Sequence, residues 1–350
     1  MPVPFQAPSA SPAEPRAVGT KGDELGRGEK VLPGVWRLRL PLPWPGVPHC
    51  NSWALASGDG IVLFDTGYAS EDGTKRLEYA MAQIGFALTD VKLLVCTHAH
   101  SDHYGLAGPI VDAAGCELWM HPDHGHTTRA AEHPERALER RIEVARQSGV
   151  PAAALETYRE QRKGQGMGVA RVIAPDRDLL PGVEVDTDLG RWQVHETPGH
   201  APSHVVLHQP DRRLLLSGDH ILGRVSLFFD YGHTPDPAGE FLSSLDTVDG
   251  LDVDLVLAGH GRPVRDARGL AEANRREVAE GIARVREAVA DGPLTAFEIV
   301  PKLLRIENLT PMHVNWGLSM VLSYLRHMQV RGEVTTVEGS DPERWAFAGG

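Results

Sequence analysis

The chain has 350 residues, 41% of them hydrophobic and 23% charged, enough apolar material to bury a full core and room for one large domain with a small one. Its 35 basic and 47 acidic residues give a formal charge of −12, which disfavours long-range attraction to nucleic acid or to an anionic membrane. No run approaches the roughly 18 apolar residues of a membrane span, and the N-terminus lacks the charged start and apolar stretch of a signal peptide, so a cytoplasmic enzyme is expected.

Residues 1–30, rich in proline and small side chains, read as a flexible N-terminal tail. Three hairpin strands follow at 35–40, 51–56 and 61–64, the last two joined by a Ser-Gly-Asp-Gly turn and the third closed by Asp65-Thr66-Gly67. A helix over 72–84 and a buried strand Val91–Cys96 complete a β-α-β passage, and a second helix from about Gly105 leads to a strand over 117–120. Residues 127–160 carry many Ala, Glu and Arg and few β-branched residues, which predicts a helical insertion over about 127–168 that Gly164, Gly166 and Gly168 interrupt. Two readings stand for it: one wall of a substrate cleft, or a surface elaboration.

Short, closely spaced strands at 184–187, 191–197, 203–208 and 213–217 point to a second sheet, and 253–258 is a further strand ending in Gly259-His260-Gly261. From Ala271 the pattern turns helical, with helices over 295–304 and 316–328 and a Gly-centred hairpin over 329–337, predicting a small winged-helix-like domain over 269–350. Residues 271–350 hold 9 Lys/Arg against 11 Asp/Glu, so they lack a basic recognition surface, and packing or self-association is the expected role. Cys50, Cys96 and Cys116 are widely spaced without a C-x-x-C pair, which argues against a disulfide framework or a cysteine zinc knuckle.

The chemistry lies in Thr97-His98-Ala99-His100-Ser101-Asp102-His103, four potential metal ligands at the end of the strand Val91–Cys96. Open α/β sheets place ligands at such strand ends, where loops converge on a rigid frame. Imidazole and carboxylate donors together suit zinc first, with iron or manganese also possible occupants. His98 and His100 project from one extended turn toward a first ion, and His200, behind a Pro-Gly bend, is the best third donor. Asp102, His103 and His260 suit a second ion, and Asp219, after the strand 213–217, is placed to bridge both. Two divalent ions so held make hydroxide available near neutral pH, which suits hydrolysis of a carbonyl or phosphoryl centre. Asp102 is the candidate catalytic residue, orienting that hydroxide and receiving its proton.

This pattern resembles the metallo-β-lactamase-fold hydrolase superfamily. The matching residues are Asp65, the 97–103 motif, His200, Asp219 and His260, in the family's order over about 34–265. The resemblance implies an αβ/βα four-layer sandwich spanning about 31–268 with the metals at one edge, and gives Asp65 the task of accepting hydrogen bonds that fix the ligand loop. No ligand position carries Cys, which is closer to glyoxalase II-like and thioesterase-like members than to the lactamases with a metal-binding cysteine. The resulting expectation is hydrolysis of a small-molecule acyl substrate, a thioester favoured over a lactone, with a phosphodiesterase or ribonuclease as competitor and a non-catalytic metal-bearing interaction protein as a third reading. A homo-oligomer is compatible with all three.

Other residues keep two readings. His121-Pro-Asp-His-Gly-His126 is a polar loop, a substrate contact or a metal cluster; Phe228, Phe229, Tyr231 and His233 line an acyl pocket or pack beneath their loop; His204 and His220 lie near the site; Trp316 and Tyr324 are core residues or reach a cleft.

Overall fold

The computed structural model describes residues 26–224 and 227–349. An antiparallel meander opens the chain: β1 (Arg27–Leu32), β2 (Val35–Trp44), β3 (Val47–Ser57) and β4 (Gly60–Phe64). Helix α1 (Gly73–Gln83) crosses to β5 (Val91–Cys96), parallel to β4, and α2 (Ser101–Tyr104) with α3 (Ala107–Ala114) leads to β6 (Glu117–Met120), parallel again. The insertion forms α4 (Gly125–Glu132), α5 (Pro134–Gln147) and α6 (Ala152–Arg162) before β7 (Arg177–Asp178) ends a seven-stranded sheet running in chain order. A second sheet, ordered β12-β11-β10-β9-β8, comprises β8 (Glu184–Thr187), β9 (Gly190–Glu196), β10 (Val205–Gln209), β11 (Leu214–Gly218) and, after α7 (Pro237–Asp249), β12 (Leu255–Ala258). Helices α8 (Ala267–Ala288), α9 (Ala296–Leu304) and α10 (Pro311–Val330) follow, then the hairpin of β13 (Val334–Thr336) and β14 (Trp345–Phe347).

The period-2 alternation of strand side chains sorts the core into three layers. Val62, Phe64, Val95, Val205, Leu207, Leu214, Leu216, Leu255 and Leu257 fill the space between the sheets, around the fully buried Trp53 and Trp192. Their neighbours point the other way. Ile61, Leu63, Leu94 and Cys96 face α1 and α3, while Val206, Leu215, Val256 and Ala258 face α7 and the C-terminal helices. The result is the four-layer α/β sandwich, because both faces of each sheet are apolar and each must be covered.

Three departures from expectation bear on the architecture. The tail predicted over 1–30 has its last residues in β1, whose pairing with β2 uses backbone groups that composition does not reveal; the rest of it, 1–25, lies outside the described residues. Helix α7 stands where no helix was predicted; Asp236 caps it by accepting from Gly239 N at 2.9 Å, and Pro237 opens it, an N-terminal signal present in the sequence. The hairpin is not centred on Gly332. That glycine, at φ 71°, ends α10, and β13 pairs with β14 across the longer loop 337–344.

The C-terminal helices share one apolar cluster with α7 and the outer face of the second sheet, and Tyr324, fully buried, packs on Phe229 at 5.7 Å between ring centroids. Truncation after residue 266 is therefore expected to expose that face and leave the remaining chain aggregated; a soluble truncated protein with the full-length melting temperature would contradict the shared core.

Candidate metal centre

Every sequence-predicted donor sits at one edge of the sandwich, where β4, β5, β11 and β12 end and β9 turns into β10. The short α2 folds the motif back on itself, His103 N and Tyr104 N both donating to His100 O at 2.9 Å, so Asp102 and His103 face the same space as His98. Thr66 N donates to His103 O and Gly67 N to Asp102 O, clamping this turn to the end of β4, while Val205 N donates to Thr97 O and ties the second sheet to the motif.

Two donor sets converge. In the first, His100 Nδ1 lies 3.1 Å from His98 Nε2 and 3.0 Å from His200 Nε2, with Asp219 Oδ2 3.7 Å from His200 Nε2. In the second, His260 Nε2 lies 3.3 Å from Asp102 Oδ2 and 3.1 Å from Asp219 Oδ2, and His103 Nε2 lies 3.5 Å from Asp102 Oδ2 and 3.4 Å from Asp219 Oδ1. Tetrahedral zinc with bonds of about 2.0–2.1 Å spaces its nitrogen ligands about 3.3 Å apart, close to these distances. Asp219 reaches both sets, as a bridging carboxylate must. His103 Nε2 and Asp219 Oδ1 are buried without a hydrogen-bond partner among the described residues, a cost that a cation between them removes. The groups His98–His100–His200, His98–His103–Asp219 and Asp102–His103–His260 each have donor atoms close enough to share an ion, so the residues fit a dinuclear centre.

Each ring is oriented from behind. Nδ1 of His98 meets Thr97 Oγ1 at 3.1 Å, His103 Nδ1 donates to Asp65 Oδ2 at 2.8 Å, His200 Nδ1 to Phe228 O at 3.1 Å and His260 Nδ1 to His49 O at 2.9 Å, which leaves all four Nε2 atoms facing inward. Asp65 also accepts from Thr97 N at 2.8 Å and from Thr97 Oγ1, and its φ of 61° turns the carboxylate under the loop. Asp65→Asn keeps a residue that tolerates that backbone but removes the charge that the His103 N–H faces. Metal affinity is expected to fall about 10- to 100-fold with little change in melting temperature; chelator competition checks this, and wild-type affinity would contradict the role.

Residues that the sequence reading missed complete the frame. Asn51 Nδ2 donates to Ala258 O at 2.8 Å and Gly261 O at 3.0 Å, and Arg37 Nη1 donates to Gly261 O at 2.6 Å, so β2 and β3 hold the His260 turn. Their partners are more than 200 positions away, so no local pattern marks them. His204 accepts from Asp219 N at 3.0 Å through Nε2, fixing the turn that presents the Asp219 carboxylate, whereas the His220 ring packs on Phe241. Of the aromatic loop, Phe228 stands 5.8 Å from both the His100 and His200 rings and Phe229 is core. The His121–His126 stretch divides: His121 Nε2 meets Glu196 at 2.9 Å, His124 Nδ1 meets Thr128 at 3.1 Å, and only His126 turns toward the centre.

The electrostatics of the two sets differ. Burial drives His98 far below the usual imidazole range and His200 to about 3, so both are neutral and ready to coordinate. Burial also opposes charge on His260, yet Asp219 and Asp102 outweigh it and lift this group to about 10; His103 is raised by the same carboxylates and Asp65. In the metal-free protein these two rings therefore carry protons at neutral pH, and an incoming cation must displace them. Affinity for the second ion is expected to rise with pH below about 10, releasing up to about two protons per ion. Titration calorimetry in buffers of different ionisation enthalpy measures this, and a pH-independent affinity would refute it.

The profile of the Metallo-beta-lactamase superfamily matches residues 45–260, more than half the chain and including every donor above. The chain belongs to this superfamily. Among similar proteins, the probable metallo-hydrolase YqjP of Bacillus subtilis is 25% identical over 257 residues, covering 71% of this chain and 79% of that protein. The crystal structure of a beta-lactamase domain protein from Burkholderia ambifaria superposes with a TM-score of 0.78 at 29% identity, covering 92% of this chain and 94% of that one. The hydroxyacylglutathione hydrolase GloC of Haemophilus influenzae is 24% identical over 178 residues, 49% of this chain and 69% of that protein. Superfamily membership and the convergent His/Asp sets make this metallo-beta-lactamase-fold protein a metal-dependent hydrolase. Among its described residues no helix is long and apolar enough to cross a membrane.

Proposed function

We propose that this hydrolase cleaves an acyl thioester in preference to a lactone, with His98, His100 and His200 holding one zinc ion, Asp102, His103 and His260 a second, and Asp219 bridging them. The observation that carries the reading is the all-His/Asp donor set joined by one carboxylate, with no cysteine among the donors. Ions held there supply Lewis acidity toward a carbonyl oxygen and lower the pKa of water. The chain's own residues do the rest. Asp102 is buried, but His103 and His260 outweigh burial and keep its carboxyl below the usual range, so it orients water by accepting a hydrogen bond better than it stores a proton. Phe228, beside His100 and His200, presents an apolar surface for an acyl chain and excludes water. A thiolate leaves without a strong acid, consistent with the absence of an unassigned acid among these donors.

A cleft of about 550 Å³ between α4, the 172–174 segment and His233-Thr234 has room for a carrier, with the insertion as one wall. Arg129 lines it, has no ion-pair partner among the described residues, and lies over Gly125, where a side chain would collide with its guanidinium. Similarity to GloC, which is named a hydroxyacylglutathione hydrolase, supports an acyl substrate on a thiol carrier. A second reading, phosphodiester hydrolysis, is favoured by cations near His260: Arg39 Nη2 lies 3.5 Å from His49 Nδ1, and Arg262 is two positions beyond His260. An anionic thioester carrier satisfies the same cations. Metal-quantified protein should be assayed in parallel on acyl thioesters, lactones and bis(p-nitrophenyl) phosphate; thioester turnover is expected to dominate, and activity confined to the phosphate ester would reverse the assignment.

A further inference from the structure

We propose that Asp230 is the positioning residue for His100, held on it by His126 of the insertion, so that α4 and the C-terminal helices help to build the first metal set. This rests on the two-ion centre of the preceding section and goes beyond its substrate.

His100 is the exception among the converging rings. The other four turn Nε2 inward and anchor Nδ1, whereas His100 turns Nδ1 toward His98 and His200 and leaves Nε2 on the far side, 3.4 Å from Asp230 Oδ2. A ligating imidazole needs a partner for its outer nitrogen to set tautomer and ring angle, and Asp230 is the carboxylate in reach. Asp230 is itself held from several sides. His126 Nδ1 donates to the same Oδ2 at 2.7 Å; Asp230 N donates to His200 O at 3.0 Å; two residues earlier, Phe228 O accepts from His200 Nδ1. The segment 228–230 thus straps both His100 and His200. Between the two contacts, Phe229 is fully buried against Phe241 and Tyr324, and Ser319 of α10 donates to its carbonyl. The C-terminal extension anchors the strap from below.

Proton bookkeeping fixes the direction of the network. Ser203 Oγ accepts from Ala99 N at 3.1 Å, so its hydroxyl hydrogen is free for His126 Nε2 at 2.8 Å. His126 then carries its proton on Nδ1, as a carboxylate at 2.7 Å requires, with Thr127 Oγ1 3.2 Å away on the same side. Ser203, His126 and Asp230 have the spacing of a nucleophilic triad, but Ser203 is fully buried and already bound to the ligand loop, so the constellation positions rather than attacks. The same His100, His126 and Asp230 atoms are close enough to share an ion, and a third ion is the rival account.

The test measures metal binding without substrate, so it is independent of which ester is cleaved. Zinc stoichiometry and affinity by chelator competition, and the visible spectrum of the cobalt-substituted protein, are compared for wild type, Asp230→Ala, His126→Ala and Asp230→Asn. Wild type is expected to bind two ions. Asp230→Ala and His126→Ala should each weaken one of them about 10- to 100-fold and shift the cobalt spectrum. Asp230→Asn, whose amide oxygen can accept from the same two imidazoles, should recover part of the affinity. Circular dichroism of the metal-free proteins identifies any variant that fails to fold, in which case Asp230→Asn decides by a smaller change of the same sign. Wild-type affinity and spectrum in the folded variants overturns the proposal, as does a third ion in wild type that Asp230→Ala removes.

Discussion

Replacing Asp219 by alanine is expected to leave about one ion per chain and to lower turnover by more than about 100-fold, beyond the 10- to 100-fold typical of residues that only support a ligand. The carboxylate lies between the two donor sets, with Oδ2 3.1 Å from His260 Nε2 and 3.7 Å from His200 Nε2 and Oδ1 3.4 Å from His103 Nε2. Without it, two cations a few ångströms apart would lose the negative charge that screens their repulsion. The fold should survive, because the turn is held through the Asp219 backbone N–H on His204 rather than through the side chain. Elemental analysis and kcat measure the outcome, and two ions with undiminished turnover would remove Asp219 from the bridging position.

Gly259→Ala is expected to be nearly as damaging to the second donor set, though Gly259 holds no metal. A Cβ there would collide with Asp219 Oδ1 and lie 2.8 Å from His103 Cε1 and 3.0 Å from Gly218 O. The backbone cannot yield: Gly259 N donates to Gly218 O at 2.8 Å and its carbonyl accepts from Asn51 N at 2.7 Å. The methyl must therefore push Asp219 and His103 apart. Stability should fall by about 1–3 kcal/mol, as for other overpacked sites, and the second ion should be lost while the His98–His100–His200 set keeps its own. A melt with metal analysis reads both effects; a second ion of wild-type affinity would mean that the turn relaxes where these contacts say it does not.

Both variants act where distant loops meet, and the same division separates what was legible along the chain from what was not. The strand Val91–Cys96 and the strand at 117–120 were read with their observed bounds, because a short apolar run between polar turns is a local signal. The seven candidate donors, which the fold brings to one edge, stand out along the chain for a similar reason: four crowd into six positions, and His200, Asp219 and His260 each follow a strand with a glycine beside it. Helix α7 carries a readable Asp-Pro start, set directly after the aromatic loop. Asp230, Arg37 and Asn51 carried no such mark, being ordinary polar residues until the fold brings His100 and the His260 turn to them.

The sequence by itself marked most of the strands and the kinds of atom offered to a metal, and its resemblance to the superfamily implied the layer architecture. Tertiary structure alone decided which atom each ring presents, that His100 faces inward through Nδ1, and that an insertion histidine and a C-terminal helix stand behind it. Ligand identity is a property of one residue and survives in a linear pattern. Orientation comes from hydrogen bonds to other segments, for His100 and His260 more than 100 positions away, and those two partners become neighbours only when both sheets close on a common core.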